Sequence, residues 1–160
     1  MRNGDVVADF ELPDQYGKLR RLSGLLASGP VVLFFYPLAG SGGCTQEVCH
    51  FRDVESELRA AGAQPVGVSR DPVDKQLEFA RATGIDYPLL SDVDGDVCDY
   101  FGVKRKMLAK VLPVKRSTFV IDAGGVLRDV INSETDMETH ADEALATLKH
   151  LTFGDSSPRR

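Results

Sequence analysis

The sequence lacks long apolar segments, an excess of basic residues and a dense set of cysteines. No window approaches the roughly 20 consecutive apolar residues that a membrane span requires. Lys and Arg number 19 against 24 Asp and Glu, so the net charge of −5 provides no overall positive field for nucleic acid or anionic lipid. The opening MRNGDVVADF has neither the basic nor the apolar region of a signal peptide, which predicts a cytoplasmic protein. Together, the charge and the absence of long apolar segments predict that the protein has no membrane or nucleic-acid partner.

The size and composition of the chain predict one globular domain. Of its 160 residues, 42% are hydrophobic and 27% are charged, values that are typical of folded proteins. We expect the domain to span residues 1–153. The remaining residues, 154–160, read GDSSPRR and have the composition of a disordered tail.

Cysteine is scarce, with only three residues, at positions 44, 49 and 98. A chain of this length does not need a disulfide framework, and an odd number of cysteines leaves at least one of them as a free thiol. In a reducing compartment, a close pair such as Cys44 and Cys49 indicates transient redox chemistry or metal binding. Cys98 has apolar neighbours on a predicted short helix over residues 97–101, so we expect it to be buried and unreactive.

The apolar pattern predicts an α/β fold. Residues 31–36, VVLFFY, form the uninterrupted apolar run that is typical of a central strand buried on both faces. A helical spacing then runs from residue 45 to residue 61 and stops at Gly62. The other predicted elements are a hairpin over residues 8–22, a strand over 65–69, a helix ending at Gly84, strands over 117–122 and 126–132, and a helix over 137–151.

This order of elements favours one architecture. A parallel strand-helix-strand crossover comes first, an antiparallel hairpin follows, and a final helix packs on the sheet. We therefore predict a thioredoxin-like fold, with a central mixed β-sheet flanked by helices and an N-terminal β-hairpin extension.

Residues 36–50, YPLAGSGGCTQEVCH, contain most of the candidate chemistry. Three glycines precede Cys44, which lies where the predicted strand turns into a helix. The backbone N–H groups and the dipole at a helix N-terminus favour an anion, and thiols placed there react as thiolates near neutral pH. Ser41 can offer its hydroxyl to the sulfur or to a bound substrate. A glycine-rich phosphate loop is the alternative, although the segment contains no lysine.

Cys49 lies five positions after Cys44 in the same predicted helix. Helix geometry separates their Cα atoms by roughly 8.7 Å, whereas disulfides require about 4.4–6.8 Å. The two sulfurs can therefore join only after local unwinding, which would let Cys44 react first and Cys49 condense with it later. Two alternatives stay open: Cys49 is a buried apolar residue, or a zinc ion is bound by Cys44, Cys49 and His50.

Along most of its length the chain resembles the peroxiredoxins, and most of all their bacterioferritin comigratory protein branch, also named PrxQ. Pro37, Ser41 and Cys44 match the P-x-x-x-T/S-x-x-C loop of that family. The resemblance extends through FELPDQYGK, FFYP, CTQEVCHFRD, GVSRDPVDK, YPLLSD and RSTFVID, to about residue 150. An ordered set of this length is far more specific than the loop alone.

The resemblance implies a thiol-dependent peroxidase that reduces hydrogen peroxide and organic hydroperoxides without a cofactor or a metal. Cys44 would be the peroxidatic cysteine and Cys49 the resolving cysteine of an intramolecular disulfide. Ser41 would align the peroxide, Pro37 would shield the pocket, and Arg116 would stabilise the thiolate. A thioredoxin-like dithiol protein is the implied reductant, and we expect a monomer or a weak homodimer.

Two other functions would use the same cysteines. A redox sensor would form the bond between Cys44 and Cys49 to alter a protein contact, with little turnover. A thiol-disulfide oxidoreductase is disfavoured because the chain has no C-x-x-C pair.

Overall fold

The computed structural model describes residues 1–105, 113–134 and 136–153. The predicted tail, residues 154–160, lies outside the described residues. Among the helices that are described, none combines the length and the apolar character needed to cross a membrane. In chain order the elements are β1 (Glu11–Pro13), β2 (Leu19–Arg21), α1 (Leu22–Leu26), β3 (Val31–Phe35), α2 (Gly42–Asp53), α3 (Glu55–Ala60), β4 (Gln64–Ser69), α4 (Val73–Thr83), β5 (Leu89–Ser91), α5 (Asp96–Tyr100), β6 (Ser117–Ile121), β7 (Leu127–Asn132) and α6 (Met137–Phe153).

Five strands form the central sheet in the order β5-β4-β3-β6-β7. Strands β5, β4 and β3 are parallel, whereas β6 and β7 run antiparallel to their neighbours. Strands β1 and β2 form a separate antiparallel hairpin. The predicted mixed sheet, its flanking helices and the N-terminal hairpin are confirmed.

Strand β3 is buried on both faces, as the apolar run predicts. Successive side chains of a strand point to opposite faces. Phe34 and its neighbours at 32 and 36 belong to the core shared with α2, α3, α4 and α6, whereas residues 31, 33 and 35 belong to the core shared with α1 and α5. The ring of Phe34 stacks on Phe51 of α2, with centroids 4.2 Å apart. This contact fixes α2 over the centre of the sheet.

The pairing of β3 with β6 determines which residues meet at one end of the sheet. The last residue of β3, Phe35, lies opposite Ser117, the first residue of β6. The chain leaves β3 through residues 36–41 and enters α2, while Arg116 directly precedes β6. The first turn of α2 and Arg116 are thereby placed at the same end of the sheet.

The prediction of one helix over residues 45–61 is wrong in two respects. The helix begins earlier, at Gly42, and it is divided at Val54 into α2 and α3. Val54 has ψ of 6°, well away from the helical value, although N–H to carbonyl bonds continue on both sides of it. Helix α1 has five residues and strand β5 has three, and no sequence pattern predicts either of them.

Gly67 provides a test of how closely the sheet and its helices pack. A Cβ atom at this position of β4 would lie 2.7 Å from Leu89 Cδ2 and 3.0 Å from the rings of Phe34 and Tyr36. We expect Gly67→Ala to lower the free energy of unfolding by about 1–3 kcal/mol in urea titrations, since overpacking forces these side chains apart. Gly24→Ala is the control, because its Cβ would meet no atom within 4 Å. A Gly67 variant as stable as the control would contradict this account.

Candidate active site

Cys44 lies in the first turn of α2 and is fully buried, with 0% of its surface exposed. Ser41 caps the helix: its Oγ accepts a hydrogen bond from the Cys44 N–H at 3.4 Å and donates to the Leu38 carbonyl at 3.0 Å. The sequence predicts a bond from Ser41 to the sulfur or to substrate. In the structure the hydroxyl fixes the backbone of the cysteine, and its contact with a substrate stays a prediction.

Arg116 is the charged group next to the sulfur. Its Nη2 donates to Cys44 Sγ at 3.4 Å, and its Nη1 donates to Glu47 Oε1 at 2.7 Å. Burial alone would lower the pKa of Arg116, but Cys44 and Glu47 raise it above its ordinary value. The guanidinium is therefore charged at neutral pH, and its position favours a negative charge on the sulfur.

Glu47 completes this group, although no sequence pattern pointed to it. It lies three residues after Cys44 and therefore on the same side of α2, and it is fully buried. That spacing is the signal that could have identified it. Burial raises its pKa to about 7, against the opposing effect of Arg116. One buried cation thus faces two groups that can each become an anion.

His140 explains why one oxygen of Glu47 has no partner. Its Nε2 donates to the carbonyl of Ser133 at 2.8 Å, so in the neutral ring Nδ1 accepts a hydrogen bond from Thr118 Oγ1, also at 2.8 Å. Burial lowers the pKa of His140, which favours this neutral form. Its Nδ1 lies 3.7 Å from Glu47 Oε2 and has no proton to offer, so Oε2 is buried without a hydrogen bond.

The loop between β3 and α2 is held at both ends. Pro37 is buried two residues after the end of β3. Two residues later, the backbone N–H of Ala39 donates to Asp71 Oδ2 at 2.8 Å. The same carboxylate oxygen accepts a hydrogen bond from Ser69 Oγ at the end of β4, at 2.7 Å. The path of the chain toward Cys44 is therefore set by side chains that follow β4.

Cys49 lies on the intact helix and is half-buried, and Cys44, Cys49 and Cys98 are all free thiols. The neighbouring His50 pairs through Nε2 with Asp142 Oδ1 at 2.9 Å rather than converging with the cysteines. In residues 1–105, 113–134 and 136–153 no three His, Cys, Asp or Glu side chains are grouped closely enough to bind a metal ion. Cys98 is buried as predicted, and burial raises the pKa of its thiol.

The pKa of Glu47 predicts a pH-dependent stability. In the unfolded chain this carboxyl has its ordinary pKa of 4.5, whereas in the folded protein the value is about 7. Between these values the folded state holds more protons, so the free energy of unfolding falls as the pH rises. We expect Glu47→Gln to remove this pH-dependent loss of unfolding free energy, which is on the order of 1–3 kcal/mol.

Urea titrations between pH 4 and pH 8 measure this effect. The stability of the wild type minus that of the variant should be greatest below pH 4.5 and should decrease through pH 7. A difference that does not change with pH would contradict the assignment to Glu47.

Comparisons with known proteins show which family the chain belongs to. The sequence pattern described as the AhpC/TSA family matches residues 3–130. A Mycobacterium tuberculosis protein named as a peroxiredoxin is 58% identical over 154 residues, which cover 96% of this chain and 100% of that protein.

Two solved structures are also similar to this chain. The crystal structure of the peroxidoxin BcpB from Mycobacterium tuberculosis has a TM-score of 0.90 and 59% identity, covering 94% of this chain and 98% of its own. A bacterioferritin comigratory protein of Xanthomonas campestris, described for its alkyl peroxide reduction activity, has a TM-score of 0.80 and 33% identity over 89% of this chain and 92% of its own. The chain therefore belongs to the AhpC/TSA family and is a peroxiredoxin of the bacterioferritin comigratory protein branch, a thiol-dependent peroxidase.

Proposed function

We propose that this peroxiredoxin reduces hydrogen peroxide and organic hydroperoxides at Cys44 and resolves the oxidised sulfur with Cys49. The observation that carries the proposal is the buried contact of 3.4 Å between Arg116 Nη2 and Cys44 Sγ at the N-terminal turn of α2. A guanidinium and a helix N-terminus both favour a thiolate there. A thiolate is the form of cysteine that attacks a peroxide bond.

In the first step the Cys44 thiolate attacks one oxygen of ROOH. The S–O bond forms as the O–O bond breaks, and the leaving RO⁻ takes up a proton to become ROH, or water when R is hydrogen. Arg116 is placed to stabilise the negative charge as it moves from sulfur to the leaving oxygen. The product is Cys44 sulfenic acid.

Ser41 and Pro37 have supporting roles in this proposal. Ser41 donates its proton to Leu38, so the free lone pair of its Oγ accepts a hydrogen bond from the peroxide and orients it. Pro37, buried at the base of the loop, keeps water from the thiolate. A cleft of about 520 Å³ beside this loop, lined in part by Leu38, Thr45 and Phe79, has room for the organic part of a hydroperoxide.

In the second step the Cys49 thiol attacks the Cys44 sulfenic acid, a disulfide forms, and water leaves. Five helical residues keep the two sulfurs apart, so the first half of α2 must unwind. A thioredoxin-like dithiol protein then reduces the exposed disulfide by thiol exchange. This cycle fits a reducing cytoplasm and a chain that acts as a monomer or weak homodimer, and it uses no cofactor, metal, membrane or nucleic acid.

Intact mass and thiol counts after one equivalent of hydrogen peroxide test both cysteines. We expect the wild type to lose two hydrogens and two thiols, Cys49→Ser to accumulate a sulfenic acid, and Cys44→Ser to remain reduced. Oxidation of the Cys44 variant would overturn the assignment of the peroxidatic cysteine. A disulfide that forms but is not reduced by a dithiol protein would favour the redox sensor.

Substitution of Gly43 tests the contribution of Arg116 to the rate of reaction with peroxide, without altering a polar group. A Cβ atom on Gly43 would lie 3.2 Å from Arg116 Nη2, whereas one on Gly42 would meet nothing within 4 Å. Alanine favours the helix at either position by roughly 0.5–1 kcal/mol. We therefore expect both variants to be at least as stable as the wild type, but only Gly43→Ala to react with peroxide more slowly, by about three- to tenfold.

Stopped-flow measurement of Cys44 oxidation under single-turnover conditions distinguishes the two variants. Gly42→Ala is the matched control, since it adds the same methyl group one position earlier. Equal rates for the two alanine variants would show that the position of Arg116 does not limit the reaction.

A further inference from the structure

Contacts divide α2 into two halves. The second half is pinned to three other elements: Phe51 stacks on Phe34 of β3 at 4.2 Å, Arg52 Nη1 donates to the carbonyl of Thr83 at 2.6 Å, and His50 pairs with an acidic residue of α6 at 2.9 Å. Each of these residues follows Cys49. Unwinding that brings the two cysteines together is therefore confined to the first half, residues 42–49.

Within that first half, one hydrogen bond is independent of the catalytic groups. The hydroxyl of Tyr87 donates to the carbonyl oxygen of Val48 at 2.8 Å. This carbonyl belongs to the peptide group immediately before Cys49, so Cys49 cannot leave its helical conformation without disturbing it. The attraction between Arg116 and the thiolate ends when Cys44 becomes a neutral sulfenic acid. The bond from Tyr87 does not depend on the state of the sulfur.

Tyr87 is itself rigidly placed. It is fully buried, and its ring meets that of Phe34 edge-on, with centroids 6.0 Å apart. Gln15 holds its backbone: Nε2 donates to the Tyr87 carbonyl at 3.1 Å, and Oε1 accepts from the Leu89 N–H at 2.9 Å. The hydroxyl therefore cannot follow Val48 when the helix unwinds. Burial also raises the pKa of Tyr87 well above its ordinary value, so the phenol remains a donor near neutral pH.

We propose that Tyr87 is a positioning residue for the resolving step, which acts through the Val48 carbonyl to hold Cys49 in the helix and so to slow its attack on Cys44. The inference rests on the proposed function of the two cysteines. Unwinding leaves the buried hydroxyl of Tyr87 without its partner, and losing such a partner is unfavourable. The Val48 carbonyl keeps its intrahelical partner in the folded protein whether or not the hydroxyl is present.

This hydrogen bond also sets the fate of the sulfenic acid. Two reactions compete for it: Cys49 thiol converts it to a disulfide with release of water, and a second ROOH oxidises it to a sulfinic acid with release of ROH. A slower unwinding lengthens the life of the sulfenic acid. Tyr87 therefore directs the enzyme toward overoxidation when peroxide is abundant.

Tyr87→Phe tests the proposal, because it removes the hydroxyl and keeps the ring. From the net contribution of one hydrogen bond, we expect the disulfide to form about two- to tenfold faster than in the wild type. The rate of the first reaction with peroxide should be unchanged. At high peroxide, mass spectrometry should find less sulfinic acid at Cys44 per turnover. A residue needed only for folding would slow both steps instead.

Tyr100→Phe is the matched control. Its hydroxyl also has one hydrogen-bond partner, the Ala8 N–H at 2.9 Å, and neither residue belongs to α2. Both steps should keep wild-type rates in this variant. Hydrogen exchange of reduced protein provides a second measurement. Amides of residues 44–53 either lie in the unwinding half or donate to its carbonyls, so they should exchange faster in Tyr87→Phe, whereas the amide of Leu58, which donates to the Val54 carbonyl, should not.

Disulfide formation in Tyr87→Phe that is no faster than in the wild type would overturn the proposal, as would unchanged exchange in residues 44–49. If the wild type forms no bond between Cys44 and Cys49, the proposed resolving step itself fails. That failure is visible in the wild-type mass before any tyrosine variant is compared.

Discussion

The active site depends on one buried cation, Arg116, that faces two acidic groups. Its guanidinium contacts Cys44 through one nitrogen and Glu47 through another, and all three side chains are removed from solvent. Burial raises the pKa of the Glu47 carboxyl to about 7, although Arg116 opposes this effect. Neutral His140 offers no proton to the second carboxylate oxygen, which is buried without a hydrogen bond. The arginine therefore holds both side chains, while the carboxyl itself remains only partly satisfied.

Helix α2 meets two opposing requirements. In the proposed cycle, its first turn is ordered so that the backbone and Arg116 can stabilise charge on Cys44, yet its first half opens so that Cys49 can reach the same sulfur. The structure separates these requirements along the helix. Residues after Cys49 are anchored to β3, α4 and α6, whereas those before it are held by a cap, by Arg116, by one hydroxyl and by the burial of Val48 in the core. The residues that anchor the helix and the residues that would unwind thus lie in different segments of α2.

Local sequence patterns predicted the sheet, its hairpins and the location of Cys44, because each depends on residues that are close along the chain. The break at Val54 was missed, since helical spacing continues across it. Arg116 was found only through the family resemblance, because several basic residues precede β6 and only the pairing of Phe35 with Ser117 shows which one reaches the sulfur. Tyr87 and His140 act across the fold, and no periodicity in the sequence connects them to α2.

The central sheet also separates the thiols. Cys44 belongs to the core on one face, together with the rest of α2, whereas Cys98 belongs to the core on the other face. Strand β3 lies between these two cores and is buried throughout. In the folded protein the sheet therefore keeps Cys98 away from Cys44, so the proposed disulfide between Cys44 and Cys49 can form and be reduced without the third cysteine. A disulfide between Cys98 and either Cys44 or Cys49 would therefore show that the domain had unfolded.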